Sequence, residues 1–102
     1  MNQVLDIVGS SGASYRFRRH QESDDLPATA GNVLYARQCG AAWTLVCCAE
    51  IDSLLKTYGG WSEARGVHDA TDVYLRLNVS RATRLQEHVD IVEKHDPPMR
   101  GF

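Results

Sequence analysis

The sequence predicts a small α+β domain in which a mixed or antiparallel sheet is flanked by helices. Three observations favour this fold class: alternating apolar and polar residues in the first segment, a nearly continuous apolar run near the middle, and helical periodicity in the last third. The chain has 102 residues, of which 43% are hydrophobic and 24% are charged, as in globular proteins. Since single domains mostly have about 100–150 residues, we expect one domain over residues 1–102.

An N-terminal β-hairpin is predicted over residues 1–20. Residues 4–8 form a short apolar run, the turn formers Gly-Ser-Ser-Gly follow, and residues 15–19 then alternate between aromatic and arginine side chains. One face of this hairpin is therefore expected to be exposed to solvent. The polar stretch over residues 20–29 contains a proline, and we expect it to be a surface connection.

Three further strands are predicted in the rest of the chain. Residues 31–37 form the first, and residues 42–48 form a nearly continuous apolar run. Such a run is typical of a strand that is covered on both faces, so we place it at the centre of the sheet. Residues 72–78 alternate again and predict a strand, with three side chains on its inner face: Val73, Leu75 and Leu77.

Two helices are predicted between the apolar strand and residue 72. The first follows from apolar residues spaced i, i+3, i+4 and i+7, which form one stripe of an amphipathic helix: Ile51, Leu54, Leu55 and Tyr58. A Gly-Gly pair ends this helix. A short second helix is expected over residues 61–65, closed by Gly66.

A last helix is predicted from Ser80, which is a good N-cap, to about Lys94. Its apolar stripe is expected to face the core and to consist of four residues: Ala82, Leu85, Val89 and Val92. The Pro-Pro pair at residues 97–98 ends the helix.

Composition and charge exclude several classes of protein. Eleven basic and thirteen acidic residues give a net charge of −2, which is not the strongly basic balance of a typical nucleic-acid-binding chain. No apolar run approaches the roughly 18 residues that span a membrane, and the first residues do not have the pattern of a signal peptide. The three cysteines form no Cys-x-x-Cys motif, which favours reduced thiols in a cytoplasmic protein.

The order of these elements resembles the GIY-YIG domain, the small nuclease module of homing endonucleases and excision-repair incision proteins. Gly31-Asn32-Val33 stands where that family has Gly-Ile-Tyr, and Cys47-Cys48-Ala49 stands where it has Tyr-Ile-Gly. The Ile-Val-Glu-Lys-His-Asp-Pro-Pro sequence at residues 91–98 resembles the end of the family's metal-binding helix. The Gly-x-Ser-Gly-x-x-Tyr-Arg-Phe hairpin at residues 9–17 is similar to a bacterial branch of the family. The resemblance implies a GIY-YIG-like core over residues 31–100.

The residues that perform the family's chemistry are replaced in this chain. Val33 and Cys47 stand at the positions of the motif tyrosines, Ala49 at the motif glycine, Thr57 at the helix arginine and His88 at the metal-binding glutamate. Metal-assisted hydrolysis of a phosphodiester needs a general base, a carboxylate that holds the metal and a cation on the phosphate. These five residues do not supply that set, so we expect a catalytically degenerate domain without a metal or a cofactor.

Glu87 adjoins the position of the family's glutamate. A helix turns by about 100° per residue, so a helix that buries the predicted stripe has His88 beside the buried face and Glu87 toward solvent. We therefore do not assign the metal-binding role of the family's glutamate to Glu87. His88 and His95 are two turns apart, about 10.5 Å along the axis, which is too far for one metal ion. We interpret both as partly exposed histidines.

Basic residues provide candidates for contacts with nucleic acid: Arg16, Arg18, Arg37, Lys56 and Arg84. The hairpin arginines alternate with aromatic residues, an arrangement that binds phosphate and stacks a base. The other three are placed along the cleft that the resemblance implies. A hairpin with solvated arginines is the favoured alternative, and a solvated helix face explains Arg84 equally well.

The preferred hypothesis is a small intracellular binding or interaction module whose former active-site cleft persists as a surface. Its ligand is a protein, a nucleic acid or a small molecule, because a fold by itself does not decide the function. One alternative is a divergent DNA endonuclease that depends on Mg²⁺ or Mn²⁺ and uses His88, Glu87 or Cys47 in altered roles. Another is an oligomeric structural protein that buries the arginine hairpin or an edge strand between subunits.

Overall fold

The computed structural model describes residues 3–102 as an antiparallel sheet with two helices. The strands are β1 (Val4–Val8), β2 (Ser14–His20), β3 (Gly31–Cys39), β4 (Ala42–Ile51) and β5 (Asp72–Leu77). The helices are α1 (Trp61–His68) and α2 (Arg81–His95), and a single 3₁₀ turn spans Leu54–Lys56. The predicted α+β class and the N-terminal hairpin are confirmed.

The strands of the described residues are ordered β1-β2-β5-β3-β4, and all neighbouring pairs are antiparallel. The prediction that the apolar run over residues 42–48 lies at the centre is wrong, because β4 is an edge strand and β5 is central. The run is apolar because β4 has a hydrophobic core on each face. Its outer edge is also partly paired, since Met99 donates its N–H to Val46 O and accepts the N–H of Cys48.

A hydrophobic core lies on each face of the sheet. We call these the α1 face, where Val33 and Tyr35 pack with Ala64 of α1, and the α2 face, where Leu34 packs with Ile91 of α2. Alternate residues of β3 thus enter opposite cores, as the two-residue period of a strand requires. On β4 this alternation is interrupted where the register with β3 shifts, so the consecutive residues Val46 and Cys47 both belong to the core of the α1 face.

The turn of the hairpin is held to α2 by Asp90. Its carboxylate accepts hydrogen bonds from the backbone N–H of Ser11 at 2.8 Å, the hydroxyl of Ser11 at 2.7 Å and the hydroxyl of Tyr15 at 2.7 Å. A Cβ atom on Gly9 would lie 2.1 Å from Asp90 Oδ2. The turn therefore needs glycine at this position because the carboxylate approaches so closely.

The helix predicted from the stripe at residues 51–58 does not form. β4 continues to Ile51 because Glu50 and Ile51 pair with the start of β3, and only the 3₁₀ turn follows. Leu54 is fully buried in this turn, whereas Leu55 is 58% exposed. The predicted apolar residues therefore do not all face the core as one stripe. The next helix, α1, continues through Gly66 rather than closing there and ends at Asp69, which has a left-handed φ of 58°.

The start of α2 at Ser80 is confirmed, since the Ser80 hydroxyl accepts the N–H of Thr83. The predicted apolar stripe is wrong for Ala82, Leu85 and Val89, whereas Val92 does pack against the core of the α2 face. The buried residues of the helix are Arg84 and Ile91, while Leu85 is 38% exposed and Val89 is 52% exposed. Ion pairs occupy part of the inward face, as described below, so apolar spacing did not identify that face.

The inner face of β5 is shorter than predicted. Val73 is buried and Leu75 packs against the core of the α1 face, as expected. Leu77 is 63% exposed at the end of the strand. Tyr74 between them is buried on the α2 face, so the central strand contributes to both cores.

Candidate functional site

Four of the five positions that the resemblance assigns to an active site are inside the protein. Val33, Cys47, Ala49 and Thr57 are each 0% exposed. The first three belong to the core of the α1 face, and burial raises the pKa of Cys47 to about 12. A thiol in this state is not a nucleophile or a metal ligand at neutral pH. These residues pack as core and do not line a cleft.

His88 is on the other side of the sheet. Its Nδ1 atom is 3.4 Å from the Sγ atom of Cys48, and Cys48 belongs to the core of the α2 face. Burial lowers the pKa of His88, and the charge of Glu50 opposes that change. Burial also raises the pKa of the Cys48 thiol. The structure therefore does not bring His88 together with the other four positions.

Glu87 points inward, so the expectation that it faces solvent is wrong. Its side chain is 12% exposed. Its Oε1 atom accepts hydrogen bonds from Arg76 Nε at 2.8 Å and from Asn78 Nδ2 at 2.9 Å. The prediction counts helical angles from an apolar stripe that does not face the core. It therefore places Glu87 on the solvent side of the helix.

Arg84 is the second buried charge of α2. It is 4% exposed, and its Nε atom donates to Glu50 Oε2 at 2.6 Å. Its Nη1 atom donates to the carbonyl oxygens of Asn78 and Val79. Its own carbonyl oxygen accepts from the fully buried Asn32. The prediction that Arg84 contacts nucleic acid is therefore corrected, because its guanidinium is used inside the protein.

The remaining basic candidates do not form one surface. Arg16 is exposed and pairs with Asp6 across the hairpin at 2.8 Å, and Arg18 is exposed on the same strand. Lys56 pairs with Asp52 beside the 3₁₀ turn. Arg37 lies elsewhere, in a shallow depression with Thr44 and His68.

Arg16 and Arg18 do line one shared depression of about 420 Å³. Two more arginines of that depression are already paired: Arg19 with Asp72 at 3.0 Å and Arg76 with Glu87 at 2.8 Å. Most of the positive charge there is thus compensated within the chain.

A larger open groove of about 840 Å³ lies beside α1. We call it the His20 groove and define it by six lining residues: His20, Glu22, Asp24, Tyr58, Trp61 and Arg65. The end of β2 and the loop after it form one wall of the groove. Tyr58, which lies just before the Gly-Gly pair, forms the other wall together with α1. The groove therefore lies between the N-terminal hairpin and α1.

His20 is fixed at the base of this groove by two hydrogen bonds. Its Nδ1 atom is 2.7 Å from the Tyr58 hydroxyl, and its Nε2 atom is 3.1 Å from the carbonyl oxygen of Asp24. A carbonyl oxygen only accepts, so Nε2 donates to it and Nδ1 accepts from Tyr58. The ring is 9% exposed. His20 is thus the last residue of β2 and does not begin the surface connection that was predicted from residue 20.

A chain of aromatic rings runs from the groove into the core. His20 and Tyr58 have ring centroids 5.5 Å apart, and Tyr58 and Trp61 are 6.2 Å apart with perpendicular rings. Trp61 in turn meets the buried Tyr35 edge-on at 5.2 Å, and Phe102 stacks on Tyr35 at 5.4 Å. The half-buried faces of Tyr58 and Trp61 are thereby held in place by rings behind them.

Acidic groups surround the aromatic wall. Burial raises the pKa of Tyr58, and the charges of Glu22 and Asp24 raise it further. Asp24 Oδ2 accepts the backbone N–H of Gln21 at 3.0 Å, which orients its carboxylate. Arg65 on α1 is the cation among the six residues that define the groove.

The sequence contained one usable signal for this groove. The alternation of β2 that puts Arg16 and Arg18 on one face also puts His20 there, on the face opposite Phe17. Nothing in the local pattern indicated that Tyr58 would meet His20, because 38 residues separate them.

Among residues 3–102, no group of three or more His, Cys, Asp or Glu side chains is arranged to hold a metal ion. Neither helix of this part of the chain is long and apolar enough to cross a membrane. Comparison with known proteins identifies no matching family model, and no curated protein or solved structure is significantly similar to the chain.

Proposed function

We propose that this chain is a small binding domain that uses a GIY-YIG-like scaffold without nuclease chemistry, and that its ligand binds in the His20 groove. The observation that carries the proposal is the contrast between two sets of residues. Four of the five positions that the resemblance assigns to an active site are fully buried, whereas the groove presents aromatic and charged side chains to solvent. Pockets that combine apolar walls with a few polar groups are the usual form of ligand sites.

The structure of the groove supports ligand binding in two further respects. His20 and Tyr58 are held by a 2.7 Å hydrogen bond, so little conformational entropy is lost when a ligand packs on them. The volume of about 840 Å³ is within the range of small-molecule sites, roughly 300–1,000 Å³.

A divergent metal-dependent nuclease is the second candidate, and the inward position of Glu87 favours it. A carboxylate and a cation do meet on the α2 face, where Glu87 contacts Arg76. In this arrangement Glu87 Oε1 already accepts two hydrogen bonds. A Mg²⁺ or Mn²⁺ ion would have to displace Arg76 and Asn78 before it could bind there.

Amide NMR of ¹⁵N-labelled protein distinguishes the two candidates in one sample. The first addition is Mn²⁺, which broadens signals near a bound ion. The second is a set of small aromatic and charged fragments. We expect no site-specific broadening at Glu87 or His88, and we expect fragment-induced shifts at Tyr58, Trp61 and their neighbours. Broadening confined to Glu87 and His88, with no shifts in the groove, would support the nuclease instead.

A further inference from the structure

We infer that the His20 groove binds an organic cation, an ammonium or guanidinium group, between the carboxylates of its loop wall and the aromatic faces of its helix wall. This inference rests on the proposed binding function and names the chemical class of the ligand. Three features of the groove lead to it: two carboxylates that form no salt bridge with the described residues, two half-buried aromatic rings and a histidine held by two hydrogen bonds.

The carboxylates are the first feature. Glu22 and Asp24 both line the groove together with Tyr58, and their charges raise the pKa of the Tyr58 hydroxyl. Within residues 3–102 neither carboxylate takes part in a salt bridge, whereas Asp6, Asp52, Asp72, Glu50 and Glu87 all do. The groove therefore presents two carboxylates that no salt bridge among the described residues compensates.

The aromatic faces are the second feature. Tyr58 and Trp61 are half-buried, their rings are perpendicular at 6.2 Å, and both line the groove beside the carboxylates. A cation over the face of a tryptophan or tyrosine is attracted by the quadrupole of the ring. Carboxylates and aromatic faces together form the surroundings that recognise an organic cation and disfavour an anion.

The hydrogen bonds of His20 are the third feature. Its Nε2 atom donates to the carbonyl oxygen of Asp24 and its Nδ1 atom contacts the Tyr58 hydroxyl. The histidine thus links the acidic wall to the aromatic wall and sets their separation. Arg65 on the helix wall partly offsets the negative charge, so we expect a ligand with one cationic group to bind better than a polycation.

Arginine and its neutral isostere citrulline test the inference directly, because they differ in the charged guanidinium alone. A Trp43→Phe variant leaves Trp61 as the remaining tryptophan, so its fluorescence reports on the groove. We expect L-arginine to change this fluorescence in a saturable manner and citrulline to bind at least about tenfold more weakly. High salt should weaken arginine binding, since exposed charges are screened.

Matched variants locate the site. Glu22→Gln should weaken arginine binding about threefold, the order expected for one partly exposed charge contact, and Glu22→Gln with Asp24→Asn should weaken it about tenfold. Glu63→Gln removes the same charge from α1 outside the groove and should leave binding unchanged. Amide shifts on the unsubstituted protein check the result independently of Trp61.

A capped Gly-Arg-Gly peptide and its citrulline counterpart distinguish a protein segment from a free small molecule as the source of the cation. Binding of either arginine probe, with rejection of its citrulline form, supports the inference. Equal binding of arginine and citrulline, or no binding of any arginine probe by fluorescence and NMR, would overturn it. The proposed binding function would survive that result if fragments still bound the groove, and it would fail separately if the Mn²⁺ signature appeared at Glu87 and His88.

Discussion

His88 packs between α2 and β4, where its ring contacts Cys48 and burial lowers its pKa from 6.5. The unfolded chain therefore binds the proton more readily than the folded one, and protonation favours unfolding. The free energy of unfolding should fall as the pH decreases through about 6.5 toward the lowered pKa of the folded state.

A His88→Gln variant isolates this effect, because the other histidines are the same in both proteins. We expect the parent to lose more stability than the variant between about pH 7.5 and about pH 5.5. Urea denaturation followed by circular dichroism at several pH values measures the difference. Parallel pH profiles for the two proteins would show that His88 does not titrate differently in the folded state.

Arg84 and Glu50 form a buried ion pair at 2.6 Å, with side chains that are 5% and 21% exposed. Removing one partner leaves the other charge without compensation. We expect Arg84→Ala to lower the free energy of unfolding by about 3 kcal/mol, whereas Arg81→Ala on the exposed surface of the same helix should change it by less than about 0.5 kcal/mol. Equal effects in urea denaturation would contradict the structural role assigned to Arg84.

The hairpin turn and α1 contain two glycines whose replacement should have opposite effects. In Gly9→Ala the new Cβ would meet Asp90 at 2.1 Å, so the turn must shift and stability falls. In Gly66→Ala the new Cβ meets no atom within 4 Å, and alanine in a helix interior is preferred over glycine by about 0.5–1 kcal/mol. Thermal denaturation should show a lower Tm for the first variant and a higher Tm for the second.

The elements themselves could largely be predicted from local patterns, but the inward face of α2 could not. Alternation identified β2 and β5, a short apolar run identified β1, and Ser80 identified the start of α2, because these signals depend on neighbouring residues. The face of α2 depends on Arg76 of β5, Asn78 just after β5 and Glu50 of β4, which form hydrogen bonds with Glu87 and Arg84. A periodicity that counts apolar residues assigns such buried ion pairs to solvent.

The order of the sheet could not be predicted for a related reason. β5 lies between β2 and β3, so the central strand of the sheet is the last one in sequence. Local alternation does not say which strands pair. The apolar composition of β4 indicated burial correctly, but the coverage comes from two cores and Met99 rather than from a second neighbouring strand. The same long-range pairing creates the His20 groove, which is why the groove was not predicted.

The oligomeric state tests the structural-protein alternative. β1 is an edge of the sheet, and within residues 3–102 no strand pairs with its outer side. A binding domain of the proposed kind needs no second subunit, so we expect light scattering at micromolar concentration to give a mass near 11.4 kDa. A stable dimer that dissociates when a charge is introduced into β1 would favour the alternative.

The central claim is that this scaffold binds a ligand and does not cut DNA. The most direct measurement is a nicking assay on supercoiled plasmid and branched DNA with Mg²⁺ or Mn²⁺, with His88→Ala and Glu87→Ala variants beside the parent. We expect no nicked product from the parent at protein concentrations comparable to the DNA. Cleavage by the parent that is lost in either variant would show that the protein is a nuclease and would locate an active site on the α2 face.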